Sequence, residues 1–291
     1  MDTYDAYRAI TDVTEDQRWA FGAGFDDDPL SGVDTTIPDG VSADDLGAYC
    51  EMLGDDALLM SHRLQQWVAH APELEEEAAL ANIALDLLGQ ARFLLARAGT
   101  VDGSGRTEDD YAFQRGPAQF RHVRLVEIVD SDFGIAMARL LVFSTWRLAV
   151  LDRLRASRDP VLAAIADKGV NEMTYHRDYA AQWVIRLGDG TEFSHHRVQA
   201  GLVQVAPFVG ELFTDSDVET RLAAAGVGVR PSETRAEFDA ALDAVLSAAT
   251  LTCPAWSASG GGTRIAGHRD TLTRLLAELQ SVARAHPGAA W

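Results

Sequence analysis

The 291-residue sequence is short of basic charge and almost empty of lysine. Lys and Arg together number 25 against 44 Asp and Glu, Lys168 is the only lysine, and the formal net charge is −19. Without a basic patch such a chain repels phosphates, so neither nucleic acid nor an anionic membrane is expected as a partner. Cysteine is equally scarce. Cys50 and Cys253 stand far apart and outside any C-x-x-C context, which excludes a disulfide framework and a cysteine metal site and leaves two buried thiols as the expectation. No uninterrupted apolar run approaches the roughly eighteen residues of a membrane span. The opening MDTYDAYRAITD has neither the basic nor the apolar segment of a secretory signal, so a cytoplasmic location is expected. There is no G-x-S-x-G elbow, and Gly260 to Gly262 lacks the lysine of a phosphate-binding loop.

What is present is a soluble-protein composition, 47% hydrophobic, enough for a substantial core. An acidic, lysine-poor surface also suits a high-salt cytoplasm, where counterions screen self-repulsion.

Residues 1–41, with Asp26 to Asp28 and Pro38, show no sustained helical period and form an acidic extension. From residue 42 the sequence predicts one all-α domain. Ser42 followed by Asp45 marks a helix start, and Leu46, Tyr49, Cys50, Leu53, Ala57, Met60 and Leu64 then recur at three- and four-residue steps. The spacing predicts bundle helices over about 43–70, 73–98, 133–156 and 159–187, with Pro72 and the Glu73 to Glu77 cluster opening the second and Asp159-Pro160 opening the fourth. Gly99 and Gly188 are the expected stops. Between residues 100 and 130 a long connection with a short helix near Glu108 to Gln114 carries the chain from one hairpin to the other, and further helices follow over 193–285. This is the order of a ferritin-like four-helix bundle with a long crossover.

Such bundles can hold two irons with a carboxylate from each of two helices and a Glu-x-x-His pair from each of the other two. The stretches nearest that pattern are Asp86-Leu87-Leu88-Gly89-Gln90 and Glu172-Met173-Thr174-Tyr175-His176. They resemble the D-E-x-G-H and E-E-x-x-H segments of the catalytic subunit of bacterial phenylacetyl-CoA epoxidase. The segments Leu53–Trp67, His70–Arg92, Ser157–His176, Trp183–Thr191 and Leu276–Trp291 closely resemble the structural C subunits of the same 1,2-phenylacetyl-CoA epoxidase complexes, a likeness running from about Leu46 to Trp291. By that resemblance the ligand positions fall on Ala57, Leu87, Gln90, Ser144, Met173 and His176, of which only His176 keeps a ligating residue. A one-residue shift toward Asp56, Asp86 and Glu172 turns the side chains by about 100° away from the shared interior.

The resemblance implies a structural subunit with no catalytic residue and no cofactor of its own. The di-iron centre is expected in an iron-bearing catalytic A subunit, with a homodimer inside a hetero-oligomer and a reductase subunit among the partners. Two other readings stand beside it: a metal-binding oxygenase subunit with unorthodox ligands, and a stand-alone helical protein that binds CoA esters. Asp86 and Glu172 are expected as hydrogen-bonded or solvated acids, His176 as a satisfied core histidine, His195 and His196 as surface residues, and Trp67, Phe143, Trp146 and Trp183 as core.

Overall fold

A computed structural model describes residues 30–256, Arg264 and residues 270–287. The chain divides into two compact units after Gly32, and the second, beginning at Val33, carries all of the helices described below. Part of the expected extension therefore belongs with the helical unit: Arg97 donates to the Thr35 carbonyl at 2.6 Å.

Four long helices form the bundle. They are α1 (Ala43–Gln65), α2 (Leu74–Val101), α3 (Phe133–Leu154) and α4 (Pro160–Gly188). Each start except that of α2 is fixed by a side-chain cap. Ser42 accepts from the Asp45 amide, Asp132 from Ile135 and Asp159 from Leu162. Helix α1 stops at Gln65, short of the expected residue 70, because bonds from the Trp67 amide to Leu64 and from His70 to Trp67 tighten the chain into turns before Pro72. Helix α2 runs past Gly99. A Cβ there would lie 1.9 Å from the Arg106 carbonyl, so this glycine serves close approach of the following loop, and the reversal is made by Gly103 and Gly105 at positive φ.

Helices α1 and α2 run antiparallel, as the contacts of Gly54 with Leu95 and of Ser61 with Ala84 require. The crossover after α2 holds the short helix expected near Glu108 to Gln114, wound as a π-helix over Asp110–Gln114, then two 3-10 turns (Pro117–Gln119 and Arg124–Glu127). Beyond the bundle come α5 (Glu192–Val209), α6 (Asp217–Ala224), α7 (Arg235–Ala248), α8 (Asp270–Leu279) and α9 (Ser281–Ala285). Helices α5 and α7 cover α3, while α6 packs on α1 and α8 on the crossover. The tightest of these seams is α3 on α5, where a Cβ on Gly201 would come within 3.0 Å of the Gly134 carbonyl. Among the described residues there is no strand, and the architecture is all-α.

Among the described residues, helices α2 and α3 are long and apolar enough to span a membrane by length and composition. In the most apolar eighteen residues of α3, 94% are buried within the protein, which marks it as the central core helix. Cys50 is buried as expected, but Cys253 is exposed: it lies in the non-helical segment after α7, outside the packed layers.

Candidate functional site: the bundle interior

The six positions that the resemblance singles out are all buried in the interior. Ala57, Leu87, Ser144, Met173 and His176 are fully buried, and Gln90 is nearly so. Three of the six are apolar. Ser144 donates back to its own helix at the Leu140 carbonyl (2.6 Å), which leaves it no outward hydrogen to offer.

The chemistry between them is set by a residue that the resemblance did not point to. Arg147 lies one turn beyond Ser144 on α3, on the same helical face, and is completely buried. Its Nε donates to Gln90 Oε1 at 2.8 Å and its Nη1 to the Leu53 carbonyl of α1 at 3.1 Å. Gln90 passes the interaction on, donating from Nε2 to Glu172 Oε2 at 2.8 Å, and Glu172 faces Lys168 at 3.4 Å. A chain of polar contacts thus crosses all four bundle helices. Gly169 makes room for it, since a Cβ there would press on Leu151 at 2.8 Å and meet the Gln90 amide at 3.6 Å.

Burial lowers the Arg147 guanidinium to about 10, with Asp56 and Glu172 opposing the fall, so the group remains charged at neutral pH. Burial also pushes the Glu172 carboxyl up, against the Gln90 hydrogen bond and Lys168. His176 sits beside this chain, its Nε2 at 3.0 Å from Asp86 Oδ2 on α2. Asp86, Glu172 and His176 are therefore each engaged by a neighbour. Among the described residues no three His, Cys, Asp or Glu side chains gather in a way that could hold a metal ion. A dinuclear iron centre needs several carboxylates around a cationic metal pair. Here Glu172 and Asp86, each already held by Gln90 or His176, share the space with a fixed guanidinium, and the residues do not fit that group.

The other acids point elsewhere. Asp56 turns to the crossover and the C-terminal segment, accepting from the Val123 amide (2.7 Å) and from Arg264 Nη1 (2.8 Å). Asp55 forms a buried ion pair with Arg115 and accepts from the Arg121 amide at 2.7 Å. Arg115 in turn lies 4.2 Å above the Phe120 ring. Buried paired charges also tie α2 to the start of α4, where Arg97 meets Asp159 at 2.5 Å, and α3 to the crossover through Arg139 and Asp130. One signal for these was present in the sequence: Arg139 and Arg147, eight residues apart, are the only charges in the apolar run from Phe133 to Leu151, and a charge inside a buried stripe must find a partner.

Of the remaining candidates, His195 is half-buried against the Gly188 carbonyl (2.7 Å) and His196 is exposed. Trp67 and Trp183 pack edge-on against Phe133, and Trp146 is fully buried.

The fold and this interior define an all-α bundle protein of ferritin-like plan, with a guanidinium-centred hydrogen-bond chain at its core. Comparison with known proteins places it more closely. The chain belongs to the phenylacetic acid catabolic protein family, whose model matches residues 34–291. It is 40% identical over 246 residues to the C subunit of 1,2-phenylacetyl-CoA epoxidase from Escherichia coli (strain K12), covering 84% of this chain and 99% of that protein.

Proposed function

We propose that this chain is a non-catalytic scaffold subunit of a multicomponent monooxygenase that epoxidises phenylacetyl-CoA in the cytoplasm, and that the di-iron chemistry belongs to a partner subunit. The observation that carries this reading is the Arg147–Gln90–Glu172 chain in the bundle interior. A fixed positive charge disfavours a nearby cationic metal, and the apolar Ala57, Leu87 and Met173 gain packing where ligands would need neutralising. The likeness to the C subunit of an epoxidase supplies the reaction. A bundle relieved of its own metal keeps a rigid surface for holding a catalytic partner.

The test is to purify the chain alone, the cognate catalytic subunit alone, and the two together, and to measure metal content, association and epoxidation with an added reductase. The expected result is iron far below stoichiometry in this chain, a stable complex, and activity that needs both subunits. Near-stoichiometric iron in this chain, or two proteins that separate on gel filtration at every salt concentration, would overturn the proposal.

A further inference from the structure

Where the α1–α2 hairpin meets the crossover, the structure holds an apolar cavity of about 230 Å³. Leu58 of α1 and Leu88 and Leu95 of α2 wall it on one side, Ala112 and Phe113 on the other, and Leu279 of α8 completes it. Ala112 and Phe113 belong to the π-helix Asp110–Gln114. Such winding is rare and concentrates at functional sites. An engineered cavity of about 150 Å³ with a Leu, Ile and Phe lining stays dry and takes up benzene. This one therefore has room for a single ring with a short substituent.

One polar atom of the lining residues is left over. Ser61 donates to the Ala84 carbonyl at 2.6 Å and accepts from Gln65 at 3.3 Å. His62, the next residue of α1, also lines the cavity, yet its Nε2 is closed off from solvent with no hydrogen-bond partner among the described residues. A buried polar atom without a partner is rare in native proteins and calls for an explanation. Burial lowers the pKa of His62, with Glu278 opposing and Arg63 assisting, so the ring is neutral at neutral pH. Its Nε2 then donates or accepts one hydrogen bond according to the tautomer, and a hydroxyl answers both cases because it does either. At the rim Arg92 is already paired with Glu108 at 3.3 Å, and Asp109 adds a further negative charge. These acids disfavour an anion, and the apolar walls disfavour any ion.

We propose that this cavity is a binding site for a small uncharged aromatic molecule with one hydroxyl group, a phenol or an aryl alcohol, whose ring lies among Leu58, Leu88, Leu95 and Phe113 and whose hydroxyl bonds to His62 Nε2. Apolar walls with a single orienting polar group are the ordinary make-up of a small-molecule site. A single ring suits the cavity better than a partner's helix, because the Arg92–Glu108 pair ties α2 to the crossover at the rim. The site is separate from the Arg147–Gln90–Glu172 chain and goes beyond the scaffold reading.

The experiment titrates the purified full-length chain, alone and together with the cognate catalytic subunit, with phenol, toluene and benzoate in a calorimeter. It is repeated on His62→Leu and Ala91→Leu, with circular dichroism to show that each is folded. The wild type should bind phenol and toluene saturably at one site per chain and leave benzoate unbound. His62→Leu should weaken phenol by roughly three- to tenfold, the worth of one neutral hydrogen bond, and leave toluene within about twofold. Ala91, buried in the same wall, should as leucine fill the space and abolish binding of both; if that variant does not fold, His62→Leu decides alone. Absence of saturable phenol binding to the wild type overturns the proposal, as does benzoate binding as well as phenol. Equal losses of phenol and toluene in His62→Leu would remove the hydroxyl contact, and unchanged binding in both variants would place the ring elsewhere. If phenol binds the free chain and is shut out of the complex, a partner side chain fills the cavity and the small-molecule assignment is wrong.

Discussion

Helices α2 and α3 have similar apolar content and opposite surroundings. The most apolar stretch of α3 is 94% buried, sealed by the other bundle helices and by α5 and α7, whereas that of α2 is 44% buried with Leu85 and Phe93 on its outer side. The contrast extends to charge. Helix α3 takes Arg139 and Arg147 into the interior and binds each of them there, while α2 begins with a row of glutamates that form no ion pair among the described residues. Apolar composition therefore does not decide burial. What decides it is whether the chain supplies another layer, and this chain supplies one over α3 and, among the described residues, none over the α2–α4 side.

The sharpest way to break the comparison is at Arg147. Arg147→Ala should lower the unfolding free energy by about 3–5 kcal/mol, because Gln90 and Glu172 lose a buried charged partner. Arg147→Met, which keeps the volume without the charge, should recover much of that loss. Chemical denaturation of the two variants measures the difference.

Next in size, Leu140→Ala on α3 should cost about 2–5 kcal/mol through a buried cavity. Leu85→Ala on α2 should change the stability of the free chain by no more than about 0.5 kcal/mol, as for an exposed site. Equal effects in denaturant titrations would remove the distinction between the helices.

Glycines sharpen it further. Gly89→Ala on α2 should stabilise the free chain by roughly 0.5–1 kcal/mol, whereas Gly201→Ala should destabilise it, since its methyl group would be driven against the Gly134 carbonyl at 3.0 Å. Thermal melts report the two signs.

The smallest effect lies at the C-terminal end of α2. Desolvation is the largest single influence on Asp102 and raises its pKa, but hydrogen bonds from Ser104, Tyr111 and Arg106 together outweigh it and bring it from 3.8 down to about 2. A carboxyl depressed in the folded state contributes stability that is present above 3.8 and is lost as the pH falls through about 2. Asp102→Asn should therefore flatten the acid limb of a stability–pH curve in that window and leave α3 unaffected.

Much of this was legible in the sequence. Helical periodicity and the caps at Ser42 and Asp159 follow from local rules, because a helix turns about 100° per residue and so fixes which side chains share a face, while Ala57, Leu87, Ser144 and Met173 were marked as interior by the family resemblance. The resemblance of Asp86–Gln90 and Glu172–His176 to an epoxidase signature was likewise a matter of residue order. Only the tertiary structure decided where the charges go. Asp55 and Asp56 are adjacent on α1, yet one pairs with Arg115 and the other with Arg264, 208 residues away. Arg147 reaches Gln90 and Leu53 from another hairpin. Local propensity cannot specify such pairs, since each depends on which distant segment is packed opposite. The partly exposed α2–α4 face has the same origin: the sequence made α2 apolar, and α5 to α8 pack elsewhere, so that among the described residues no layer covers one side of it.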